Sequence, residues 1–269
     1  MINGFDVAYA SSRGRWPTNE DSLLVVGKGF ELAKKGSDIA KHRILNELTL
    51  PADPLLLAVA DGMSNLGHSG LASEVVVKAL LAEWLSDAGH WGANWLKASR
   101  VRGLQVALCH HFEKIGYLGQ GATTLAAAHV QDGQVTCANA GDSRAYLIRS
   151  GDWLQLSKDH TWAEELRDAG KVDRNTQLAS CYIGMTSGLM ADWAEDDDFP
   201  VHLESASLAV GDHILLCTDG LDEELTVPRL KATWHPEFSP KKQLAHWFAL
   251  VIKELGGPDN VSAVLVRVL

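Results

Sequence analysis

Four places along the chain set a carboxylate at the mouth of an apolar run. Glu20-Asp21 precedes Leu23–Val26, Asp61 follows Leu55–Ala60, Asp219 follows His213–Thr218, and Asp259 precedes Asn260–Leu269. A carboxylate at the end of a buried strand is costly unless a partner or a cation neutralises it. Two of the four, Asp61-Gly62 and Asp219-Gly220, repeat the same strand-then-Asp-Gly pattern. Asp-Gly is also an ordinary turn pair, so a single copy would say little. Several acids meeting in one cleft stay ionised only beside cations. Donors that are all oxygen, with no set of Cys or His beside them, suit a hard ion such as Mg²⁺ or Mn²⁺. Two such ions about 4 Å apart, sharing one carboxylate, would activate water for in-line attack at phosphorus. Gly62, having no side chain, would let its carbonyl approach an ion.

These residues need elements to hold them. Alternation over residues 5–10 predicts a half-buried strand, followed by a polar loop from Ser11 to Ser22 and a strand over Leu23–Val26. Residues 27–54 read as an excursion in which Ile39–Leu50 holds a short helix or strand. Leu55–Ala60 reads as a buried strand. A Gly/Ser-rich loop then leads to a helix over about 71–86, with Ala72, Val75, Val76, Ala79 and Leu80 on its apolar face. A second helix is expected from about Trp95 to Ile115, with Leu96, Leu104, Ala107, Leu108 and Phe112 as core. The Trp-rich 84–95 segment is expected to pack internally.

Strands over Ala122–Val130, Gln134–Ala140, Ser143–Ile148 and Trp153–Leu156, with turns at Asp132-Gly133, Gly141-Asp142 and Gly151-Asp152, read as one antiparallel meander. Thr161-x-x-Glu164 is a capping box that opens a short helix. Residues 171–200 read as an irregular acidic flap. Val201–Leu208 and His213–Thr218 are expected strands joined at Gly211-Asp212. Ser239-Pro240 starts the last helix, and Asn260–Leu269 is a central strand. The mixture of helices and antiparallel strands excludes both an all-β and a doubly wound parallel fold.

Composition bounds the partners. The 269 residues carry 24 Lys and Arg against 34 Asp and Glu, a net charge of −10, which argues against broad nucleic-acid binding and against an anionic membrane surface. The N-terminal residues show no signal-peptide pattern, and no run is apolar enough to span a membrane. The four cysteines are scattered with no CxxC pair, so a reducing, cytoplasmic location without structural zinc is expected.

Seven blocks occur in a fixed order. They are Asn19-Glu20-Asp21, Val59-Ala60-Asp61-Gly62-Met63, Gly121-Ala122-Thr123-Thr124-Leu125, Asn139 to Tyr146, Leu156 to His160, Thr218-Asp219-Gly220-Leu221, and Gly257-Pro258-Asp259-Asn260-Val261. Together they resemble the metal-dependent protein phosphatase 2C family, bacterial type, over residues 4–269. The resemblance implies an α+β fold: a four-layer α-β-β-α sandwich of two antiparallel sheets flanked by helices, with a binuclear metal cleft at the sheet ends. It implies one catalytic domain over 1–269 that hydrolyses phosphoserine and phosphothreonine in proteins by metal-activated water, with a cognate protein kinase or its substrates as partners.

It also implies roles. Asp61 bridges two Mn²⁺ or Mg²⁺ ions, Gly62 binds through its carbonyl, Asp219 and Asp259 hold the first ion, and Glu20 or Asp21 supports the second. Gly141–Arg144 would be structural, with Asp142 a turn residue. Three departures from the family pattern stand out. Trp16 replaces the usual phosphate-gripping arginine, leaving Arg15 or Arg13 to reach. The Asp61–His68 loop is two residues longer, and His68 is either a general acid or an exposed loop histidine. Residues 116–120 offer no carboxylate, so a third ion site is expected to be weak or absent. Two other activities remain open: a regulatory member that binds without turnover, and a two-metal hydrolase of small phosphoesters.

Overall fold

The computed structural model describes residues 2–35, 43–52, 54–63, 67–173, 176, 184–193 and 199–269. Two six-stranded antiparallel sheets stack face to face. The first is ordered β10 (Asp152–Gln155), β9 (Arg144–Arg149), β13 (His213–Cys217), β14 (Val261–Val268), β1 (Gly4–Ser12) and β4 (Arg43–Pro51). The second is ordered β12 (His202–Ser207), β8 (Gln134–Ala140), β7 (Leu125–Gln131), β5 (Leu55–Ala60), β2 (Ser22–Gly27) and β3 (Phe30–Lys35). A short ladder pairs β6 (Ala122–Thr123) with β11 (Leu189–Met190).

The apolar runs have two-sided burial as their cause. Successive side chains of a strand point to opposite faces. Leu55, Leu57 and Val59 of β5 face Val264, Val266 and Val268 of β14 in the core between the sheets. Leu56, Ala58 and Ala60 turn instead to α1 (Ser69–Ser86) and α2 (Ala98–Lys114). On the opposite side, Val261, Ala263 and Leu265 pack on α4 (Asp219–Asp222), α5 (Val227–Ala232) and α6 (Pro240–Ala249), where Trp247 and Phe248 are fully buried. The four-layer α-β-β-α sandwich expected from the sequence is the observed fold.

Several local expectations are met. Ser239 accepts a hydrogen bond from the Lys242 N–H at 3.3 Å, with Pro240 at the first helical position of α6. Thr161 caps α3 (Trp162–Asp168) through the Glu164 N–H, although the Glu164 carboxylate pairs with Arg167 rather than closing the box. Trp84 and Trp95 pack internally against His129.

Others need correction. The 27–54 excursion contributes two strands, β3 and β4, one at the edge of each sheet. Their mixed sequences reflect edge positions with one wet face. The strands from 122 to 156 are not one meander: β7–β8 lies in the second sheet and β9–β10 in the first, so Gly141–Ser143 crosses between sheets. Likewise β12 and β13 lie in different sheets. The second helix begins at Ala98, leaving Trp95 and Leu96 buried ahead of it, and Ala107 is only half-buried. The inserted loop residues 64–66 and the acidic stretch 195–198 of the flap lie outside the described residues.

Candidate functional site

All the carboxylate-bearing strand ends fall at one end of the sandwich. Ser22 of β2 pairs with Ala60 of β5, which sets Asp21 beside Asp61. Cys217 of β13 pairs with Ala263 of β14, and Val261 pairs with Ser12 of β1, which brings Asp219 and Asp259 to the same end of the other sheet. Asp219 is the first residue of α4.

Hydrogen bonds fix this end closely. The Asp61 N–H donates to Thr124 Oγ1 at 3.0 Å, while the Asp61 carbonyl accepts from Thr123 Oγ1 at 2.7 Å and from the Thr124 N–H at 2.9 Å. Asn260 accepts the Glu20 N–H at 2.7 Å and donates to the carbonyls of Arg13 and Thr18. Trp16 Nε1 donates to the Pro258 carbonyl. The polar loop after β1 is thereby sewn to the segment that carries Asp259. Both Asp-Gly glycines are required by packing. A Cβ on Gly62 would sit 2.6 Å from the Ser69 carbonyl group, and one on Gly220 would sit 1.9 Å from the Asn260 carbonyl oxygen.

The electrostatics are those of crowded acids. Burial first, then the charges of Asp219 and Asp259, push Asp21 up to about 7, against hydrogen bonds from Ser262 and Thr218 that pull the other way. Burial, followed by Asp21, Asp219 and Asp142, raises Asp61 well above the usual carboxylate range. Asp259 is raised by burial and by Asp219. Asp21 Oδ1 and Asp219 Oδ1 are buried with no hydrogen-bond partner. Such orphaned acceptors are costly and ask for a cation. Among the described residues no three His, Cys, Asp or Glu side chains close on a common point as a finished metal cage. The all-oxygen donors, the unpartnered oxygens and the raised acids fit one or more divalent hard cations.

The remaining candidates are placed as follows. Arg15 is exposed, and its charge is felt by Asp259 and Glu224 at the cleft. Arg13 turns into its own loop, donating to the Pro17 carbonyl at 3.0 Å. His68 precedes α1, half-buried, with its ring against Tyr117 at 3.9 Å between centroids and its N–H on the Gln120 carbonyl.

Asp142 does more than turn the chain. Its carboxyl is raised well above normal by burial and then by Asp219, and it raises Asp61 in turn. Sequence reasoning also assigned no role to Thr218, Thr124, Asn260 or Asp222. The available signal was short polar residues inside otherwise apolar strand ends.

Behind the acids, Arg144 binds Asp159 through two nitrogens, the shorter contact 2.6 Å, and reaches Asp222 at 3.2 Å. Asp222 also accepts from Tyr146 Oη at 2.8 Å. Removing one partner of a buried ion pair strands the other. Arg144→Met is expected to lower unfolding free energy by about 3–5 kcal/mol, measured by urea titration; a loss within experimental error would show that Asp222 does not depend on it.

With that geometry in hand, comparison with known proteins is informative. The family model described as "Protein phosphatase 2C" matches residues 46–269. Serine/threonine protein phosphatase PstP of Mycobacterium tuberculosis is 31% identical over 235 residues, covering 87% of this chain and 44% of that relative. The chain thus spans a little under half the length of that relative. Serine/threonine phosphatase stp of Listeria welshimeri is 27% identical over 218 residues, covering 79% of this chain and 84% of that one. The crystal structure of the PstP catalytic domain in complex with two manganese ions superposes with a TM-score of 0.71 at 25% identity, covering 98% of this chain and 99% of that one.

Proposed function

The chain belongs to the protein phosphatase 2C family, and from that premise we propose that it hydrolyses phosphoserine and phosphothreonine in proteins, using two Mn²⁺ or Mg²⁺ ions held at the Asp61 end of the sandwich. The observation that carries this reading is the gathering of Asp21, Asp61, Asp219 and Asp259 from separate strand ends to one end of the sandwich. The manganese-bound structure of a relative supports the choice of ion.

In this reading Asp61 would serve both ions and Gly62 would add its carbonyl. Asp219 and Asp259 would hold the first ion, and Glu20 or Asp21 would support the second. When bound, such ions polarise the phosphoryl oxygens and lower the pKa of water. The protein's own groups orient the substrate. Arg15 offers a planar guanidinium to the phosphate, and His68 donates the proton to the departing serine or threonine oxygen. The whole of 1–269 acts as one catalytic domain on phosphoproteins made by a cognate kinase, in the cytoplasm. No helix among the described residues is long and apolar enough to cross a membrane.

The two arginines separate cleanly. Arg15→Ala is expected to raise KM for a phosphothreonine peptide about tenfold, the scale of one charge-assisted contact. Arg13→Ala is expected to lower stability by about 1 kcal/mol through the lost Pro17 bond, with KM nearly unchanged. The reverse pattern in steady-state kinetics would reassign the phosphate grip to Arg13.

The activity itself is tested by phosphate release from a phosphothreonine peptide with Mn²⁺ and with EDTA. Release only with Mn²⁺ is the expected result. Mn²⁺ binding without release would point to a regulatory member. Release from an aryl phosphate but not from peptides would point to a small-phosphoester hydrolase.

A further inference from the structure

Thr218 follows β13 directly, at the N-cap of α4 immediately before Asp219, and is fully buried. Its Oγ1 accepts the Ser262 N–H at 3.0 Å. Its own proton then has two acceptors within reach, Asp21 Oδ2 at 3.1 Å and the Ser262 carbonyl at 3.4 Å. The carboxylate is nearer and charged, so it takes the bond. Thr218 belongs to the first sheet and Asp21 leads into the second. The hydroxyl therefore ties together the two sheet ends that carry Asp219 and Asp21.

A second set of hydrogen bonds lies beside it. Asn19 Oδ1 accepts the Asp21 N–H at 3.2 Å, which leaves the Asn19 amide nitrogen as donor to Ser11 Oγ at 2.8 Å. Ser11 Oγ and Ser262 Oγ are 2.8 Å apart. The Ser11–Ser262 bond joins β1 to β14 at paired positions, and either hydroxyl can donate in it. Thr218 Oγ1 is held on its acceptor side by the Ser262 N–H, so its hydroxyl cannot swing away cheaply. Asp21 Oδ1 is left over, buried and without a hydrogen-bond partner.

We propose that Thr218 is a positioning residue for the metal centre: its hydroxyl, oriented by the Ser262 N–H, holds Asp21 Oδ2 so that Oδ1 faces the ions at a fixed distance from Asp219. The inference rests on the reading of Asp21 and Asp219 as metal donors. Thr218 touches neither ion nor substrate and acts through Asp21. Outer groups that orient a metal's carboxylates affect affinity about 10–100-fold when removed.

The test is Mn²⁺ affinity, read from the EPR signal of free Mn²⁺, in five proteins: wild type, Thr218→Val, Thr218→Ser, Asp21→Asn, and Thr218→Val in the Asp21→Asn background. Thr218→Val keeps the shape and removes the hydroxyl. It is expected to weaken Mn²⁺ binding by about tenfold or more, while Thr218→Ser stays within about twofold of wild type. In the Asp21→Asn background the Val substitution should change affinity by less than about twofold, because its target is already gone. Wild-type affinity in Thr218→Val, or an equal loss in both backgrounds, would overturn the proposal while leaving the metal reading intact. Failure of the wild type itself to bind Mn²⁺ would overturn the metal reading and this inference with it. Should circular dichroism show Thr218→Val unfolded, Thr218→Ala removes the same hydroxyl with no branched side chain to fit, and the same loss is expected.

Discussion

Asp219→Asn is expected to reduce Mn²⁺-dependent phosphate release from a phosphothreonine peptide by about a thousandfold or more, the scale set by losing a metal's contribution to charge stabilisation. It should do so without unfolding the protein. Asp219 is the first residue of α4 and its Oδ1 has no hydrogen-bond partner, so the fold gains nothing from that oxygen. Its charge instead burdens Asp21, Asp61, Asp142 and Asp259, each of which it pushes toward protonation. Asn keeps the shape and removes the charge. The melting temperature in EDTA should therefore equal or exceed that of wild type. Near-normal turnover in this variant would remove Asp219 from the site, and a collapsed fold would make its role structural.

Metal removal should leave a large, pH-dependent mark on stability. Asp21 is pushed up to about 7 by burial and then by its acidic neighbours, and Asp61 and Asp142 are raised well above the usual carboxylate range, chiefly by burial. Asp222 is pushed up to about 6, chiefly by burial. A carboxyl with a raised folded pKa binds more protons folded than unfolded between its two pKa values. Stability then falls as pH rises through that window. His129 and His213, pushed down to about 4 by burial, act in the opposite sense below pH ~6.5. Burial also raises Glu223, to about 7, with Glu224 and Asp259, and lowers His160 and His202. The raised carboxyls outnumber the lowered histidines, so the melting temperature in EDTA should fall between about pH 5.5 and 7.5.

Mn²⁺ should cancel that fall, because a cation replaces the protons. At about a thousandfold excess over Kd the gain is about 4 kcal/mol, or roughly 10 °C for a chain of this size. The gain should shrink toward zero near pH 5, where protons compete. Scanning calorimetry with Mn²⁺ and with EDTA at pH 5.0 and 7.5 measures both effects. Equal melting temperatures at pH 7.5 would show that no ion relieves these acids.

Much of this cleft was legible in the sequence because burying acid is expensive. Asp61 and Asp219 stood out as carboxylates that terminate runs of Leu, Val, Ile and Ala, and those runs are the strands of the sandwich. The interior strands β5, β7 and β14 declared themselves by burial on both faces. Edge strands did not: Phe30-Glu31-Leu32-Ala33-Lys34-Lys35 mixes apolar and charged residues because one face is wet. Turn chemistry also says where the chain bends, not which sheet it bends toward. Gly141-Asp142 and Gly211-Asp212 look like hairpin turns, yet both lie on crossings between sheets.

Within the site, Thr218, Asn260 and Thr124 were hidden for a related reason. A short polar side chain in a strand is unremarkable until its partner is known. Here the partners lie far away in sequence: Asp21 for Thr218, Glu20 for Asn260, and Asp61 for Thr124. Asp142 sits in the bend between β8 and β9, as Gly-Asp pairs commonly do, and burial followed by Asp219 raises its carboxyl. Only the crossing between sheets sets its carboxyl among the others.

The most direct test of the account is anomalous diffraction from crystals of the wild-type protein soaked in Mn²⁺. The account predicts two peaks at the end of the sandwich, with the Asp61 carboxylate between them, Asp219 and Asp259 on one and the Glu20-Asp21 side on the other. Peaks elsewhere on the molecule, with the Asp61 cleft empty at saturating Mn²⁺, would contradict it.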